Sequence, residues 1–75
     1  MKIKVYSTIN CPYCVMAKDF FKSKDLEYQD VNVGEDQVAF QEMVQKSGQM
    51  GVPVIDIDGN IIIGFNRPEI EKLIN

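Results

Sequence analysis

The sequence predicts an α/β domain in which a mixed four-stranded sheet carries three helices, in the order β-α-β-α-β-β-α. The chain opens with residues that alternate between apolar and polar, and segments with apolar residues at helical spacing follow. Later in the chain, two apolar runs flank Asp58-Gly59, which is a strong hairpin signal. The first β-α-β unit implies parallel strands with a right-handed crossover. We find no repeat or linker, so residues 1–75 are expected to form one domain.

The first third of the chain predicts a strand that leads into a pair of cysteines and a helix that follows them. Ile3 and Val5 alternate with lysines, which favours a strand over about 2–7. A helix should run from Pro12 to about Lys24, since proline suits the first helical turn. The residues expected on its inner face are Val15, Met16, Ala17, Phe20 and Phe21.

The middle of the chain predicts a second strand over 26–33, which is rich in valine and tyrosine, and a helix over about 35–47. Gly48 should end that helix in a left-handed conformation. The inner face of the helix is expected to carry Ala39, Phe40, Met43 and Val44.

The last part of the chain predicts a hairpin and a final helix. The apolar runs on either side of Asp58-Gly59 form its two antiparallel strands. Asn66 and Glu69 then have the spacing of a capping box at the start of a helix. Its inward residues are expected to be Ile70, Leu73 and Ile74.

Composition excludes several classes of function. The net charge is −3 and the 8 basic residues are scattered, so the basic stripe of a nucleic-acid-binding protein is missing. No apolar run is long enough to span a bilayer. The first ten residues lack the apolar core of a signal peptide, so we expect a cytoplasmic protein with no membrane partner.

Cys11 and Cys14 are the only cysteines, and their position predicts redox chemistry. Cys11 falls at the carboxyl end of the first strand and the start of the first helix, where open α/β sheets place active sites and where the helix dipole favours a thiolate. Cys14 lies one turn later, within disulfide range. We expect Cys11 to attack and Cys14 to resolve, with Pro12 stiffening the turn and Tyr13 shielding the pair or contacting a partner.

Three other interpretations of the pair remain open. The cysteines could be two core residues, although core residues need neither the proline nor the helix start. A zinc site needs about four ligands, and the chain has no histidine and no third cysteine. A zinc or iron–sulfur centre would therefore need two chains, as in a metal-bridged dimeric binding module. The redox interpretation needs no metal, and for it we expect a monomer.

Three motifs in order resemble glutaredoxins across essentially the whole chain. "CPYC" at 11–14 follows a strand and precedes Ala17-Lys18, "GVPVI" at 51–55 is similar to the family's Val-Pro segment, and "IGF" at 63–65 is similar to its glycine turn before the last helix. The resemblance implies a thioredoxin-like fold, a cis Pro53, and thiol–disulfide exchange with glutathione as co-substrate and no tightly bound cofactor.

The resemblance also implies a binding site for glutathione or for a disulfide of another protein. The backbone of Val52 would pair with an extended thiol peptide, and Gly64 would let a ligand approach bare backbone. The residues assigned to this site are Pro12, Tyr13, Gln49, Val52, Pro53, Gly64, Phe65, Asn66 and Arg67. For Asn66 and Arg67, helix capping is the simpler interpretation.

Two departures from the family concern the reductant. Thr8 stands three residues before Cys11, where many glutathione-dependent members have lysine. "GFNRPE" at 64–69 is similar to the redoxins that serve ribonucleotide reductase and draw electrons from thioredoxin reductase. That enzyme is therefore the alternative partner.

Overall fold

Seven elements follow the chain in the predicted order in the computed structural model, which describes residues 1–74. They are β1 (Ile3–Ser7), α1 (Pro12–Ser23), β2 (Gln29–Asn32), α2 (Gln37–Ser47), β3 (Val54–Ile57), β4 (Asn60–Ile63) and α3 (Arg67–Ile74). Within this part of the chain, no helix is long and apolar enough to cross a membrane.

The sheet has the strand order β2-β1-β3-β4, and its pairing confirms the predicted topology. β1 is parallel to β2 and antiparallel to β3, with Tyr6 opposite both Val31 and Val54, and β3 and β4 form the antiparallel hairpin. The carboxyl ends of β1 and β4 and the amino end of β3 therefore meet at one end of the sheet. We call it the cysteine end, because β1 leads from there to Cys11.

Two apolar layers cover the faces of the sheet. Ile3 and Val5 of β1 face α1 and α3, while Tyr6, the residue after Val5, faces α2, as strand alternation requires. The layer under α1 and α3 comprises Ile3, Val5, Ala17, Phe20, Phe21, Ile55, Ile57, Ile62 and Ile70. The layer under α2 comprises Tyr6, Val33, Ala39, Met43 and Val54.

The inner face of α1 differs from the prediction. Val15 and Met16 are about half exposed, and the buried residues of the helix are Cys14, Ala17, Phe20 and Phe21. The prediction of Val15 and Met16 as inward residues was wrong, because Cys14 belongs to the buried stripe. Because Cys14, Ala17 and Phe21 share one face of the helix, the buried stripe is turned away from Val15 and Met16.

The second strand is shorter than predicted. It spans Gln29–Asn32 and not 26–33. The backbone N–H of Leu26 donates to the carbonyl of Phe21 at 3.0 Å, so it is used at the end of α1 and cannot join the sheet. Leu26 and Tyr28 still pack against the core from the connection, which explains why this stretch is as apolar as a strand.

The predicted turns are present. Gly48 has φ +75° and its N–H donates to the carbonyl of Val44, which ends α2. Asp58 and Gly59 both have positive φ, as a two-residue hairpin turn requires. The turn lies at the opposite end of the sheet from the cysteines, where the N–H of Asp58 donates to the carbonyl of Lys2 and the N–H of Lys2 donates to Asp58 Oδ1.

A polar network joins α2 to the centre of the sheet. The buried Tyr6 hydroxyl donates to Glu42 Oε1 at 2.8 Å, and Lys46 Nζ donates to Tyr6 and to Asp56 Oδ2, at 3.0 Å each. Hydrogen bonds from Lys46, Tyr6 and Lys4 lower the pKa of Glu42 to about 2. The same network raises the pKa of Lys46, so both groups stay charged near neutral pH.

Candidate active site

Cys11 and Cys14 form a disulfide across the first turn of α1, with their Cα atoms 5.2 Å apart. Cys11 is the N-cap of the helix, with extended backbone, and Pro12 takes the first helical position. The N–H of Cys14 donates to Cys11 Sγ at 3.1 Å. This N–H and the helix dipole both stabilise negative charge on Cys11 Sγ, and the first turn of α1 has no acidic side chain to oppose them.

The two sulfurs differ in access to solvent. Cys11 is 9% exposed and Cys14 is fully buried. Cys11 is more exposed than Cys14, as expected. Cys11 is nevertheless nearly buried, because its sulfur is bonded to Cys14 beneath it. Pro12 and Tyr13 are both exposed, so the Tyr13 ring is available to a partner.

The Val52-Pro53 segment meets the cysteine end of the sheet from the β3 side. The peptide bond between these residues is cis, as expected. Val54, the next residue, pairs with Tyr6 of β1, and the N–H of Gly64 donates to the carbonyl of Pro53 at 2.9 Å. Within residues 1–74 nothing hydrogen-bonds to the backbone of Val52, so its N–H and carbonyl are available to a ligand.

Phe65, Asn66 and Arg67 follow Gly64 and form the approach to α3. Phe65 packs edge-on against Phe20 of α1, with ring centroids 5.9 Å apart. Asn66 Oδ1 accepts a long hydrogen bond of 3.5 Å from the N–H of Glu69, which is the predicted N-cap contact. The contact between Phe65 and Phe20 connects the approach to the last helix with the helix that carries the disulfide.

Arg67 and Gln49 are held by neighbours in the chain. Arg67 Nε donates to Glu71 Oε1 at 2.9 Å, and its guanidinium lies over the ring of Phe20. Gln49 is half-buried, and its N–H and carbonyl both hydrogen-bond to the Ser47 hydroxyl. Within residues 1–74 no hydrogen bond joins either side chain to the cysteines, and their assignment to a glutathione site stays a prediction.

A second polar network, which the sequence analysis did not single out, lies beside the start of α1. The buried Ser7 hydroxyl donates to Asp30 Oδ1 at 2.7 Å, and Lys18 Nζ donates to Asp30 Oδ2 at 3.1 Å. Burial raises the pKa of Asp30, but the hydrogen bonds from Ser7 and Lys18 outweigh it, and the pKa is lowered. The signal in the sequence was a serine where the alternation of Ile3 and Val5 calls for an apolar residue.

This network positions the disulfide indirectly. Lys18 lies one helical turn after Cys14, and its contact with Asp30 ties that turn of α1 to β2. Ser7, the last residue of β1, joins the same carboxylate. The strand that leads to Cys11 and the helix that follows it are thereby held together.

Comparison with known proteins identifies the family. The family model for glutaredoxin matches residues 3–62. The chain belongs to the glutaredoxin family. This glutaredoxin-like protein has the thioredoxin-like fold and is a thiol–disulfide oxidoreductase with a C-x-x-C motif.

Two relatives and one solved structure illustrate where this glutaredoxin lies within the family. It is 56% identical over 72 residues to an uncharacterized glutaredoxin-like 8.6 kDa protein in the rubredoxin operon of Clostridium pasteurianum, covering 96% of each chain. It is 34% identical over 71 residues to the glutaredoxin-like protein NrdH of Lactococcus lactis subsp. cremoris (strain MG1363), covering 95% of this chain and 97% of that protein. The crystal structure of the thioredoxin-like protein BC3987 superposes with a TM-score of 0.90 at 29% identity, covering 96% and 99%.

Proposed function

We propose that Cys11 is the attacking thiolate and Cys14 the resolving thiol in the reduction of protein disulfides. The observation that carries this proposal is the asymmetry of the pair. Cys11 Sγ lies at the helix N-terminus, accepts the Cys14 N–H and keeps some exposure, whereas Cys14 is fully buried. An external disulfide can therefore reach Cys11 but not Cys14.

The reaction transfers two electrons from the dithiol to the substrate. The Cys11 thiolate attacks one sulfur of a substrate disulfide, a mixed disulfide forms, and the other substrate sulfur leaves as a thiolate that takes up a proton. Cys14, having lost its proton, attacks Cys11 Sγ and releases the second substrate thiol. The protein is left with the internal Cys11–Cys14 disulfide, which a reductant must then reduce.

Val52 supports a binding mode for the substrate. Its unpaired backbone can add an extended segment of the substrate as a short strand beside the disulfide. Gly64, with φ +74° and no heavy atom near the place of a β-carbon, leaves room for that segment next to Pro53.

Glutathione is the reductant that the family resemblance implies, and its mixed disulfides with proteins would be substrates as well. Its two carboxylates would need donors. Gln49, Asn66, Arg67 and the N-terminus of α3 are the candidates, although Arg67 is already paired with Glu71. No further cofactor is part of the proposal.

Thioredoxin reductase is the second candidate reductant, and two observations favour it. Thr8 supplies no positive charge beside Cys11, and the only cation among the predicted glutathione contacts, Arg67, is engaged by Glu71. In addition, the similarity to the Lactococcus lactis NrdH protein extends over nearly the whole of both chains.

The two reductants are separated by assaying wild type and Cys14→Ser with each of them. Turnover with thioredoxin reductase that Cys14→Ser abolishes supports the second candidate, because that enzyme reduces an internal disulfide. Glutathione-linked turnover that survives in Cys14→Ser supports the first, because glutathione can resolve a mixed disulfide with Cys11 alone. Cys11→Ser must be inactive with both, and activity in that variant would refute the assigned roles.

A further inference from the structure

The two edges of the sheet differ in charge. At the β2 edge, Asp30 lies on the strand itself, and Glu27, Glu35 and Asp36 lie within a few residues of it. At the β4 edge, residues 59–66 contain no charged side chain. Because charged side chains on and beside an edge strand hinder its pairing with another chain, only the β2 edge is protected in this way.

Hydrogen bonds beyond the two ends of β3 show which of its residues turn towards β4. The N–H of Asp58 donates to the carbonyl of Lys2, on the side of β1. The N–H of Gly64 donates to the carbonyl of Pro53, on the side of β4. Since the backbone groups of successive residues in a strand point in opposite directions, the odd-numbered residues of β3 are hydrogen-bonded to β4 and the even-numbered ones to β1.

The same alternation leaves four backbone groups of β4 facing away from the sheet. Asn60 and Ile62 lie opposite odd-numbered residues of β3 and are used by these hydrogen bonds. The N–H and C=O groups of Ile61 and Ile63 therefore point outward. Within residues 1–74 no hydrogen bond from a turn or a loop reaches them, so they form an unpaired edge.

The side chains along this edge are apolar on both faces of the sheet. Ile63 is 45% exposed, and Ile61 is half-buried and packs against the layer under α2. Ile62 points to the other face and is buried in the layer under α1 and α3. The edge thus offers both unpaired backbone groups and apolar surface to a further strand.

We propose that a second copy of this chain binds at the β4 edge, with the two β4 strands paired antiparallel about a two-fold axis. Ile61 then pairs with the partner's Ile63, and Ile63 pairs with the partner's Ile61. Four hydrogen bonds use all eight outward groups, so the edge is complementary to itself, as a two-fold interface requires. No like charges meet across the axis, because residues 59–66 are uncharged.

The length of β4 makes this a weak dimer. A pair of four-residue strands buries less surface than stable interfaces do, so we expect a dissociation constant of about 0.1–1 mM. The monomer expected from the sequence is then the state at low concentration. Each copy has a net charge of −3, so added salt should screen the repulsion between copies and strengthen the dimer.

The antiparallel arrangement keeps both active sites accessible. The carboxyl end of β4 lies at the cysteine end of the sheet. Two β4 strands that run in opposite directions therefore place the two cysteine ends at opposite ends of the dimer. The dimer should accordingly reduce disulfides as fast per chain as the monomer does.

Sedimentation velocity tests the self-association. The oxidised protein is used, because both cysteines are then held in the internal disulfide and no disulfide can form between chains. We expect the weight-average mass to be close to that of one chain at about 0.02 mM and to exceed about 1.5 times that mass at about 2 mM. A mass that stays that of one chain up to this concentration overturns the proposal.

Amide hydrogen exchange in wild type locates the interface. Exchange at Ile61 and Ile63 should slow as the protein concentration rises, because these N–H groups are paired only in the dimer. Asp30 is the control on the β2 edge. The N–H of Val33 donates to the carbonyl of Ser7, so the N–H of Asp30, three residues earlier, points away from β1 and should exchange at an unchanged rate.

Two lysine variants with the same change of charge complete the test. Ile63→Lys places a cation on the β4 edge and should remain monomeric at about 2 mM. Val38→Lys is the matched control, since Val38 is 76% exposed and lies in a groove beside β2. This variant should dimerise at least as strongly as wild type, because it lowers the net negative charge without touching β4.

Two results would place the interface elsewhere and overturn the proposal. One is self-association that slows exchange at Asp30 and not at Ile61 and Ile63. The other is an Ile63→Lys protein that dimerises as wild type does. If circular dichroism shows that Ile63→Lys does not fold, the exchange of Ile61 and Ile63 in wild type decides the question alone.

Discussion

Single residues decide where the elements of this protein end. Gly48 closes α2 with φ +75°, a conformation that a β-carbon makes unfavourable. Space is not the constraint, because no heavy atom lies within 4 Å of where that β-carbon would be. The backbone conformation alone therefore explains the glycine.

Replacing Gly48 by alanine should destabilise the protein by about 1 kcal/mol, since the left-handed conformation is retained at a cost. Urea unfolding monitored by circular dichroism measures the change. Gly51→Ala is the matched control, because Gly51 is exposed and its φ lies outside the left-handed region; it should change the stability by less than about 0.5 kcal/mol. Equal losses in the two variants would contradict the role given to Gly48.

Glu42 makes a pH-dependent contribution to folding. Its pKa in the folded protein, about 2, lies below the ordinary value of 4.5, so its stabilisation is complete above pH 4.5 and is lost as the pH falls towards 2. Because the side chain is 39% exposed, solvent screening keeps this contribution to about 1 kcal/mol or less.

Glu42→Gln should therefore be less stable than wild type at pH 7, and the difference should shrink between pH 4.5 and 2. Unfolding by urea at a series of pH values provides the measurement. Glu71→Gln, which removes a carboxylate from the exposed pair with Arg67, should have a smaller effect at pH 7. If the difference in the free energy of unfolding between wild type and Glu42→Gln stays constant down to pH 2, the lowered pKa assigned to Glu42 is wrong.

The residues whose roles could be predicted from the sequence are those whose roles depend only on nearby positions in the chain. Gly48, Asp58-Gly59 and the cysteine pair each depend on a few neighbouring positions and a known backbone geometry. The contacts of Tyr6 with Glu42 and Lys46 span 36 and 40 residues, and no short pattern signals them. They follow only once α2 is placed on the sheet.

At the scale of elements, α2 begins with a cap that can be removed. Asp36 has extended backbone and its Oδ1 accepts the N–H of Ala39 at 3.1 Å, which satisfies one of the unpaired donors of the first turn. A carboxylate at this position also interacts favourably with the helix dipole.

Asp36→Ala should cost about 1 kcal/mol of stability and fray the start of α2, and Asp36→Asn should recover most of the loss because its side-chain oxygen can still accept. Hydrogen exchange at Ala39 and Phe40 compares the three proteins. If asparagine is no better than alanine at this position, the hydrogen bond is not the source of the stability.

Element types were easier to predict than element edges and faces. All seven elements were predicted, because helical stripes and the hairpin turn are local patterns. The start of β2 and the buried face of α1 were not predicted. The start of β2 is later than predicted because the N–H of Leu26 is used by the carbonyl of Phe21 at the end of α1. The buried face of α1 depends on the tertiary fold, because Cys14 joins the buried stripe only where it lies over the sheet.

For the molecule as a whole, the central strands carry the stability. Ile55 of β3 is fully buried between Val5 of β1 and Ile62 of β4, in the layer under α1 and α3. A chain of this size has about 4–11 kcal/mol of stability, so one core residue accounts for a large share of it.

Ile55→Ala should cost about 2–5 kcal/mol through lost burial and the cavity that remains. Ile63→Ala removes the same atoms from a half-exposed position on the edge strand and should cost about 1 kcal/mol or less. Thermal unfolding of the oxidised proteins compares them. A similar drop in both variants would mean that the core is not organised around β3.

The hairpin turn has a practical consequence for handling the protein. Asp58 binds the backbone of Lys2 at the end of the sheet opposite the cysteines, so the amino terminus is tied down a strand's length, roughly 17 Å, from the residues that lead to Cys11. A solid support, a fluorophore or a fusion partner attached through Met1 would thus point away from the disulfide. Molecules immobilised in this way would share one orientation, with Cys11 and Tyr13 turned towards the solution.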